Sequence, residues 1–378
     1  MTQPKSILLV TADPERMPSL RRSLALLQPV RTLCLAEPLS LDGVGQDEAA
    51  GHAMVPDGDI AAIVSLVAPR GEGRIRQLRS AFEPFRLQHT PILCLIAAPT
   101  QRDEVQARAL GAAAVLGADS SCRDLAAALR PWLRDAGGSS NTGATSAAAA
   151  DVGLAIADML AAAMQGSCIT MQAVVEASDI MLEAIAEDGI HAWLRLVSNV
   201  DDRTYRHCMT VSGLVAAFAL ALGFSHTDCD RLTRAALMHD IGKGTIALEI
   251  LNKAAPLDAQ ELAIMRGHAS VGHDLLVAQG AHDAQHEAMT LDVVRHHHET
   301  LDGMGYPDGL AGGAISDPVR IVAICDVFTT LIGCRPSQSG LAGHDAFRIM
   351  QEMQGKLDTH LLALFSRVFD RAPPWPPP

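Results

Sequence analysis

The sequence has little positive charge and no apolar run long enough to cross a bilayer. Its 30 lysines and arginines stand against 43 aspartates and glutamates, for a formal net charge of −13 at pH 7. Binding of nucleic-acid polymers or acidic membranes generally requires excess Lys and Arg, so this balance argues against both. The longest apolar run, residues 211–224, is interrupted by Ser212 and Gly213 and falls short of the roughly 20 residues that a membrane helix needs.

The sequence also lacks paired cysteines and a secretory signal. Its eight cysteines are scattered, and none forms a C-x-x-C pair. Disulfide frameworks belong to secreted proteins, so these cysteines are predicted to be reduced thiols. We expect a cytoplasmic protein with no membrane partner.

At 378 residues the chain is long enough for two domains. Residues 136–150 are small and uncharged, cannot bury enough surface to fold alone, and are predicted to be a linker. This division places an N-terminal domain at 1–135, a helical connector at 151–200 and a C-terminal domain at 201–370.

Short apolar runs alternate with helical patterns in the N-terminal domain. Residues 6–10, 60–67 and 91–97 are apolar and bounded by turn residues, whereas residues 18–27 and 101–110 have a helical pattern. Such alternation predicts a doubly wound, flavodoxin-like α/β domain with a parallel sheet.

After the linker, apolar residues recur at three- and four-residue spacing, as on one face of a helix. Helices are predicted at 152–164, 171–186, 204–222 and 228–239, with 189–197 extending the second and Gly223 placed to cap the third. No strand pattern is found beyond residue 200. The second domain is therefore predicted to be an all-α bundle.

Histidines are concentrated in this helical part, where ten of the 15 fall between His207 and His298. Neutral imidazole is a good ligand for first-row transition metals. His239 and Asp240 are adjacent at the end of a predicted helix, and Gly242 and Lys243 follow them. A nitrogen donor beside a carboxylate can bind one metal and bridge to a second, while Lys243 is placed to meet a phosphate oxygen.

Further donors lie where a helical bundle would bring them inward. Asp326, for example, is a carboxylate inside an apolar helix, where burial is costly without a cation. The full set offers enough nitrogen and oxygen donors for two metal ions: His207, His239, Asp240, His268, the run His296-His297-His298-Glu299 and Asp326.

The segment from about residue 207 to residue 326 resembles an HD-GYP domain, a subgroup of the HD phosphohydrolase superfamily. The resemblance covers roughly residues 190–370, about half of the chain. The matching pieces are His239-Asp240-x-Gly242-Lys243, His297-His298-Glu299, Asp302-Gly303-x-Gly305-Tyr306-Pro307 and the apolar helix from Arg320 to Asp326.

The resemblance implies a metal-dependent phosphodiesterase that hydrolyses cyclic di-GMP to linear pGpG or onward to GMP. It implies one metal at His207, His239, Asp240 and Asp326, and a second, shared through Asp240, at His268, His297 and His298. His296 directly precedes the motif and is expected to be a bystander. Some members bind a third metal through a Glu four residues before the first histidine; Arg203 stands there, so two metals are expected.

The implied catalytic residues are Asp240 and Lys243. Two cations would lower the pKa of a shared water and, with Lys243, would neutralise the charge that develops on the phosphate. The mixed donors favour iron or manganese, with nickel and zinc as alternatives. Bound cations also reconcile an anionic substrate with the acidic net charge.

The loop at residues 303–307 has two interpretations. Its glycines and proline suit a tight turn and nothing more. The resemblance favours a second interpretation, in which Tyr306 stacks on guanine and Gly305 lets the backbone approach the ligand. Arg335, with its planar guanidinium, and Lys243 complete the predicted substrate contacts.

The match is imperfect after Asp326. Thr329 stands where the family has an acidic residue, and Gln338 where it has a basic residue near the phosphate. Two alternatives therefore stay open. One is hydrolysis of another cyclic dinucleotide, such as cyclic GMP-AMP. The other is a signalling adaptor or diguanylate cyclase with little hydrolysis, against which the complete set of metal donors argues.

The N-terminal domain resembles a degenerate response-regulator receiver. Thr11 and Ala12 replace the acidic pair, although Asp13 follows; Ser65 replaces the phosphorylated aspartate and Ala118 the lysine. Without these carboxylates there is neither a magnesium site nor acyl-phosphate chemistry. We expect a domain for homodimerisation or for binding a signalling partner, with an unrelated flavodoxin-like fold as the alternative.

Overall fold

The chain, seen in a computed structural model, divides into two compact units, Met1–Ser140 and Asn141–Pro378. The structure describes residues 5–12, 18–35, 59–86, 90–133, 142–200, 202–253, 255–279, 284–333 and 341–369.

The N-terminal unit is built on a five-stranded parallel sheet of order β2-β1-β3-β4-β5. Side chains of β1 alternate between two apolar cores, with Leu8 and Val10 in one and Ile7 and Leu9 in the other. Both faces of the sheet are thus covered, which confirms the predicted α/β architecture. The elements are β1 (Ser6–Thr11), α1 (Pro18–Ala25), β2 (Val30–Cys34), β3 (Ile60–Ser65), α2 (Glu72–Arg86), β4 (Ile92–Ile96), α3 (Gln101–Ala109), β5 (Ala112–Gly117) and α4 (Cys122–Leu133).

The carboxyl edge of this sheet carries small side chains where a receiver has its charged cluster. Thr11 and Ser65 end β1 and β3 and are buried, and Ala118 directly follows β5. The Ser65 hydroxyl accepts a hydrogen bond from the Val67 amide over 3.3 Å. Asp13 lies outside the described residues. Thr11, Ser65 and Ala118 therefore lie at or directly after the ends of strands, and none of them carries a carboxylate.

The C-terminal unit is helical, as predicted; its described residues contain no strand, only an isolated bridge between Asp302 and Ala311. Gly223 follows the third of its helices with a left-handed φ of 77°, a usual way to end a helix. The helices are α5 (Thr142–Gln165), α6 (Met171–Val197), α7 (Arg203–Ala221), α8 (His226–Met238), α9 (Leu248–Leu251), α10 (Ala259–Arg266), α11 (His268–Ala278), α12 (Ala284–His296), α13 (Asp317–Ile332), α14 (Gly343–Glu352) and α15 (Thr359–Phe365).

The predicted linker at 136–150 and the separate connector at 151–200 are wrong in part. Residues 142–150 already belong to α5, and both α5 and α6 pack within the helical unit. A β-carbon on Gly244 would lie 2.7 Å from the Leu160 carbonyl oxygen, so α5 lies directly on the turn after Asp240. The small, uncharged composition of this stretch predicts a linker incorrectly, because its abundant alanine is also the best helix former once a packing surface is available.

The expectation that no segment is apolar enough to cross a membrane is wrong by length and composition alone, because residues Thr145–Gln165 of α5 meet both criteria. In the structure this helix packs against α6 and against the 3₁₀ turn Ile241–Thr245. Its apolar side chains therefore contribute to the interior of the helical unit.

Close backbone contacts set the position of the Ile241–Thr245 turn. A β-carbon on Gly242 would lie 2.0 Å from the His268 carbonyl oxygen, and one on Gly272 would lie 3.0 Å from the Gly242 nitrogen. Only hydrogen at these two positions lets α11 approach the turn so closely. This contact brings the start of α11 next to the end of α8.

Candidate active site

The predicted His–Asp pair lies at the end of α8, in the interior of the helical unit. His239 is fully buried and Asp240 is 1% exposed. The helix ends here because the chain passes from α8 into the 3₁₀ turn, which is pressed between α5 and α11. A carboxylate at such depth requires partners of opposite charge or hydrogen-bond donors.

The two oxygens of the Asp240 carboxylate face different histidines. Oδ2 lies 3.3 Å from His207 Nε2 and 3.2 Å from His239 Nε2. Oδ1 lies 3.2 Å from His268 Nε2 and 3.8 Å from His297 Nε2. Asp240 is thus the shared member between two groups of donors.

Asp326, on α13, links the same two groups from the other side. Its Oδ1 lies 3.0 Å from His207 Nε2, and its Oδ2 lies 3.6 Å from His298 Nδ1. All seven predicted metal donors therefore meet in one cluster. Within it, ligand atoms lie within 4.8 Å of one another in three sets: His207, His239 and Asp326; His268, His297 and His298; and His239, Asp240 and His297.

Backbone carbonyls fix which ring nitrogen three of these histidines present. Nδ1 of His239 lies 2.6 Å from the Ala236 oxygen, and Nδ1 of His268 lies 2.6 Å from the Met265 oxygen. Nδ1 of His297 lies 3.0 Å from the Val294 oxygen. Since a carbonyl only accepts, each Nδ1 donates its proton, and each neutral ring presents the Nε2 lone pair to the cluster, as metal-ligating histidines commonly do.

The centre of the cluster then consists of acceptors facing acceptors. Nε2 of His268 and Nε2 of His297 are 3.2 Å apart, and Asp240 Oδ1 and His239 Nε2 are buried atoms with no hydrogen-bond partner in the part of the chain that the structure describes. Lone pairs that converge in this way need cations between them. The donor set of imidazole nitrogens and carboxylate oxygens fits divalent transition metals.

The protonation of the cluster agrees with this requirement. Burial lowers the pKa of His298 to about 3 and holds that of His297 well below its usual value, so both rings are neutral and free to bind metal. Burial opposes ionisation of Asp240, but His239 and Lys243 outweigh it and hold the carboxyl pKa well below its usual range. Burial is the largest influence on the pKa of His239 and lowers it, but Asp240 and Asp326 together raise that pKa above its usual value, so a proton competes with a cation for Nε2 of this ring.

Lys243 lies beside the first group of donors. Its Nζ is 2.6 Å from Asp240 Oδ2. Burial lowers the pKa of Lys243, but Asp240 and Asp326 raise it by more, so the side chain is an ammonium ion. It can therefore place a hydrogen-bond donor at the edge of the cluster.

The loop that carries Tyr306 is fastened from within by Glu299. This buried carboxylate accepts hydrogen bonds from the amides of Asp308 over 2.6 Å, Gly309 over 2.9 Å and Leu310 over 3.0 Å. Gly305 packs so closely that a β-carbon there would lie 2.4 Å from the Glu299 α-carbon. Glu299, a motif residue to which the family resemblance assigns no role, therefore holds this loop in place. The close packing also explains why position 305 is a glycine, apart from its predicted contact with substrate.

A second set of ion pairs and hydrogen bonds joins the end of α12 to the same loop. Arg295 meets the Asp308 carboxylate with Nε at 2.7 Å and Nη2 at 2.8 Å. His296 lies between two carboxylates, with Nδ1 at 2.7 Å from Asp292 Oδ1 and Nε2 at 2.9 Å from Asp308 Oδ2. Within the described residues His296 forms no hydrogen bond with any of the seven donors, and its contact with Asp308 braces the loop that carries Tyr306.

Tyr306 lies against the metal donors through its ring. Its centroid is 4.8 Å from that of His298, with the two planes inclined by 30°. The guanidinium carbon of Arg266 lies over the same ring, 5.4 Å from its centroid. Burial raises the pKa of the Tyr306 phenol far above its usual value, so the hydroxyl stays protonated.

The segment after Asp326 that departs from the family pattern lies only partly within the described residues. Arg335 and Gln338 lie outside the described residues. Thr329 is 5% exposed, and its hydroxyl oxygen has no hydrogen-bond partner in the described part of the chain. Sequence reasoning missed Arg295, Asp308 and Arg266; the signals available were the single arginine before the histidine run and the aspartate directly after the Tyr-Pro dipeptide.

The HD domain family matches residues 192–361 of the chain. This range contains every donor of the cluster. The match confirms the predicted resemblance, and the matched residues lie within the helical unit, from the last part of α6 to α15.

Curated relatives of the HD domain are phosphodiesterases of cyclic dinucleotides. A cyclic di-GMP phosphodiesterase of Pseudomonas aeruginosa is 34% identical over 215 residues, which are 56% of this chain and 50% of the relative. A cyclic di-GMP phosphodiesterase response regulator of Xanthomonas campestris is 37% identical over 147 residues, 39% of this chain and 37% of the relative. A 3′3′-cGAMP-specific phosphodiesterase of Vibrio cholerae is 34% identical over 179 residues, 46% of this chain and 40% of the relative. The chain spans half or less of the length of these relatives.

Proposed function

We propose that the protein is a metal-dependent phosphodiesterase that hydrolyses cyclic di-GMP. The observation that carries the proposal is the position of Asp240, whose two oxygens face two separate groups of imidazole nitrogens. A carboxylate in this position suits a pair of divalent ions, and the names of the relatives of the HD domain supply the substrate class.

The residues divide between two metal positions. His207, His239 and Asp326 would hold one ion, and His268, His297 and His298 the other, with Asp240 shared between them. Iron and manganese suit this donor set best. When bound, such a pair lowers the pKa of water toward neutrality and offsets the negative charge that develops on a phosphate.

The chain's own groups supply the rest of the site. Lys243, an ammonium ion at the edge of the cluster, would donate a hydrogen bond to a non-bridging phosphate oxygen and so favour the more negative transition state. Tyr306 and Gly305 belong to a loop held by Glu299 and Asp308, and this rigid loop would form the wall on which the nucleotide rests. Arg335, which lies outside the described residues, would contact a phosphate, as the family resemblance implies.

The test is turnover of cyclic di-GMP by anaerobically purified protein supplied with Mn²⁺ or Fe²⁺, with bound metal quantified in the same sample. We expect hydrolysis to pGpG or GMP and about two ions per chain, as in paired-metal hydrolases. Full metal content without turnover of any cyclic dinucleotide would contradict the proposal and favour the adaptor.

Cyclic GMP-AMP is the alternative substrate, because one relative of the HD domain is specific for it and because Thr329 departs from the acidic residue that the resemblance predicts. The same assay with both nucleotides decides between them. Faster turnover of cyclic GMP-AMP than of cyclic di-GMP would identify cyclic GMP-AMP as the substrate.

For the N-terminal unit we propose a receiver-like domain that works without phosphorylation, binding a second copy or a signalling partner. The support is a parallel sheet in the flavodoxin order with Thr11 and Ser65 at the ends of β1 and β3. We expect acetyl phosphate to leave the intact mass and the turnover of the protein unchanged. An acid-labile phosphoryl adduct on this unit would refute the proposal.

A further inference from the structure

Arg266 lies at the joint between α10 and α11, two residues before a donor of the metal cluster. It is the last residue of α10, Gly267 forms the joint, and His268 begins α11. The His268 ring donates to the Met265 carbonyl over 2.6 Å, which ties this joint to the cluster. The backbone that carries Arg266 is therefore held in place by the same bond that orients His268.

The side chain of Arg266 lies over the ring of Tyr306, beside the cluster. Its guanidinium carbon lies 5.4 Å from the centroid of Tyr306, and the Tyr306 ring lies 4.8 Å from the ring of His298. The loop below is braced by Glu299 and Asp308. The Tyr306 ring thus lies close to both the Arg266 guanidinium and a donor of the cluster.

Arg266 is exposed, and its guanidinium meets no carboxylate in the ranges that the structure describes. Other arginines of the helical unit differ in this respect: Arg295 binds Asp308, and Arg320 binds Asp358. A guanidinium stacked on a ring keeps its N–H edges free, and that planar fork matches the oxygens of a phosphate. The position offers a cation in an otherwise acidic protein, next to the site where a phosphate would be cleaved.

We propose that Arg266 binds the phosphate of the cyclic dinucleotide that is not being cleaved. This proposal rests on the proposed function. A cyclic dinucleotide carries two phosphodiesters in one ring, so when one lies at the metal cluster the other lies to its side and needs a separate positive charge. Arg266, over the Tyr306 ring, is placed to supply that charge. The contact would raise the affinity for a cyclic dinucleotide more than the affinity for a small diester with a single phosphate.

The test compares Arg266→Gln with Arg195→Gln, a matched loss of an exposed arginine on α6, in the metal-loaded full chain. Steady-state kinetics are measured with cyclic di-GMP, with 3′3′-cyclic GMP-AMP and with bis(p-nitrophenyl) phosphate, and calorimetry measures the affinity for a phosphorothioate analogue of cyclic di-GMP. Loss of a charge-assisted hydrogen bond predicts that Arg266→Gln raises KM for both cyclic dinucleotides, and the dissociation constant of the analogue, by about tenfold. We expect kcat to change much less, kcat/KM for the small diester to fall far less than for the dinucleotides, and Arg195→Gln to resemble the parent.

Four results would overturn the proposal. Equal losses with all three substrates mean that Arg266 only supports the Tyr306 loop. A loss confined to cyclic di-GMP means that the guanidinium reads a guanine edge and not a phosphate. If the parent protein hydrolyses cyclic dinucleotides and Arg266→Gln has the same kinetics, this proposal is wrong and the proposed function stands. If the parent hydrolyses only the small diester, the proposed function and this proposal are both wrong.

Discussion

Replacing Asp240 by asparagine is expected to remove both bound metals and to lower the turnover of cyclic di-GMP at least about 10³-fold. Both Asp240 oxygens face imidazole nitrogens, Oδ2 toward His207 and His239 and Oδ1 toward His268. An amide of the same shape keeps one weak acceptor and puts an NH₂ group in place of the other, so it cannot bridge two cations. The same substitution removes the charge that Lys243 meets at 2.6 Å.

Metal content and activity of Asp240→Asn are measured together, with circular dichroism to establish that the helices are intact. Asp274→Asn is the matched control, because it removes a carboxylate on α11 whose side chain is 74% exposed. Asp240→Ala should behave like Asp240→Asn. A variant at Asp240 that retained two metals and normal turnover would show that the carboxylate does not bridge them.

Replacing Gly242 by alanine is expected to destabilise the helical unit by about 3 kcal/mol and to weaken retention of the second metal. The added β-carbon would lie 2.0 Å from the His268 carbonyl oxygen and 2.8 Å from the Gly272 nitrogen, both of them backbone atoms that cannot rotate away. The 3₁₀ turn and α11 must therefore separate. Separation moves His268 from Asp240, although no donor has been changed.

Thermal unfolding and metal content measure the effect of Gly242→Ala. For a unit of this size the midpoint should fall by roughly 10 °C. Gly313→Ala is the matched control, because a β-carbon there meets nothing within 4 Å. If Gly242→Ala unfolded at the same temperature as the control and kept both metals, the close approach of α11 to the turn would not be what assembles the cluster.

Part of the fold could be predicted from local patterns. In the N-terminal unit, the runs at 6–10, 60–67 and 91–97 correspond to β1, β3 and β4, because strands buried on both faces need continuous apolar sequence. The patterns did not identify β2 and β5, whose side chains are mostly half-buried. The composition of residues 142–150 predicts a linker because Ala, Ser, Thr and Gly are common to linkers and to tightly packed helices. The structure distinguishes the two, since Thr145 and Ala149 in this segment are buried.

The sequence by itself determined the classes of the two units, the HD domain and the seven donors of the cluster, since these depend on periodicity and on motifs of fixed spacing. The metal roles of those donors stay predictions. The tertiary structure alone decided that Asp240 divides its oxygens between two groups, that His296 braces the Tyr306 loop, and that Arg266 lies on the Tyr306 ring. Residues 266 and 306 are brought together by the packing of α11 against α12 and against the turn that follows Asp240, and no local pattern records a contact that depends on such packing.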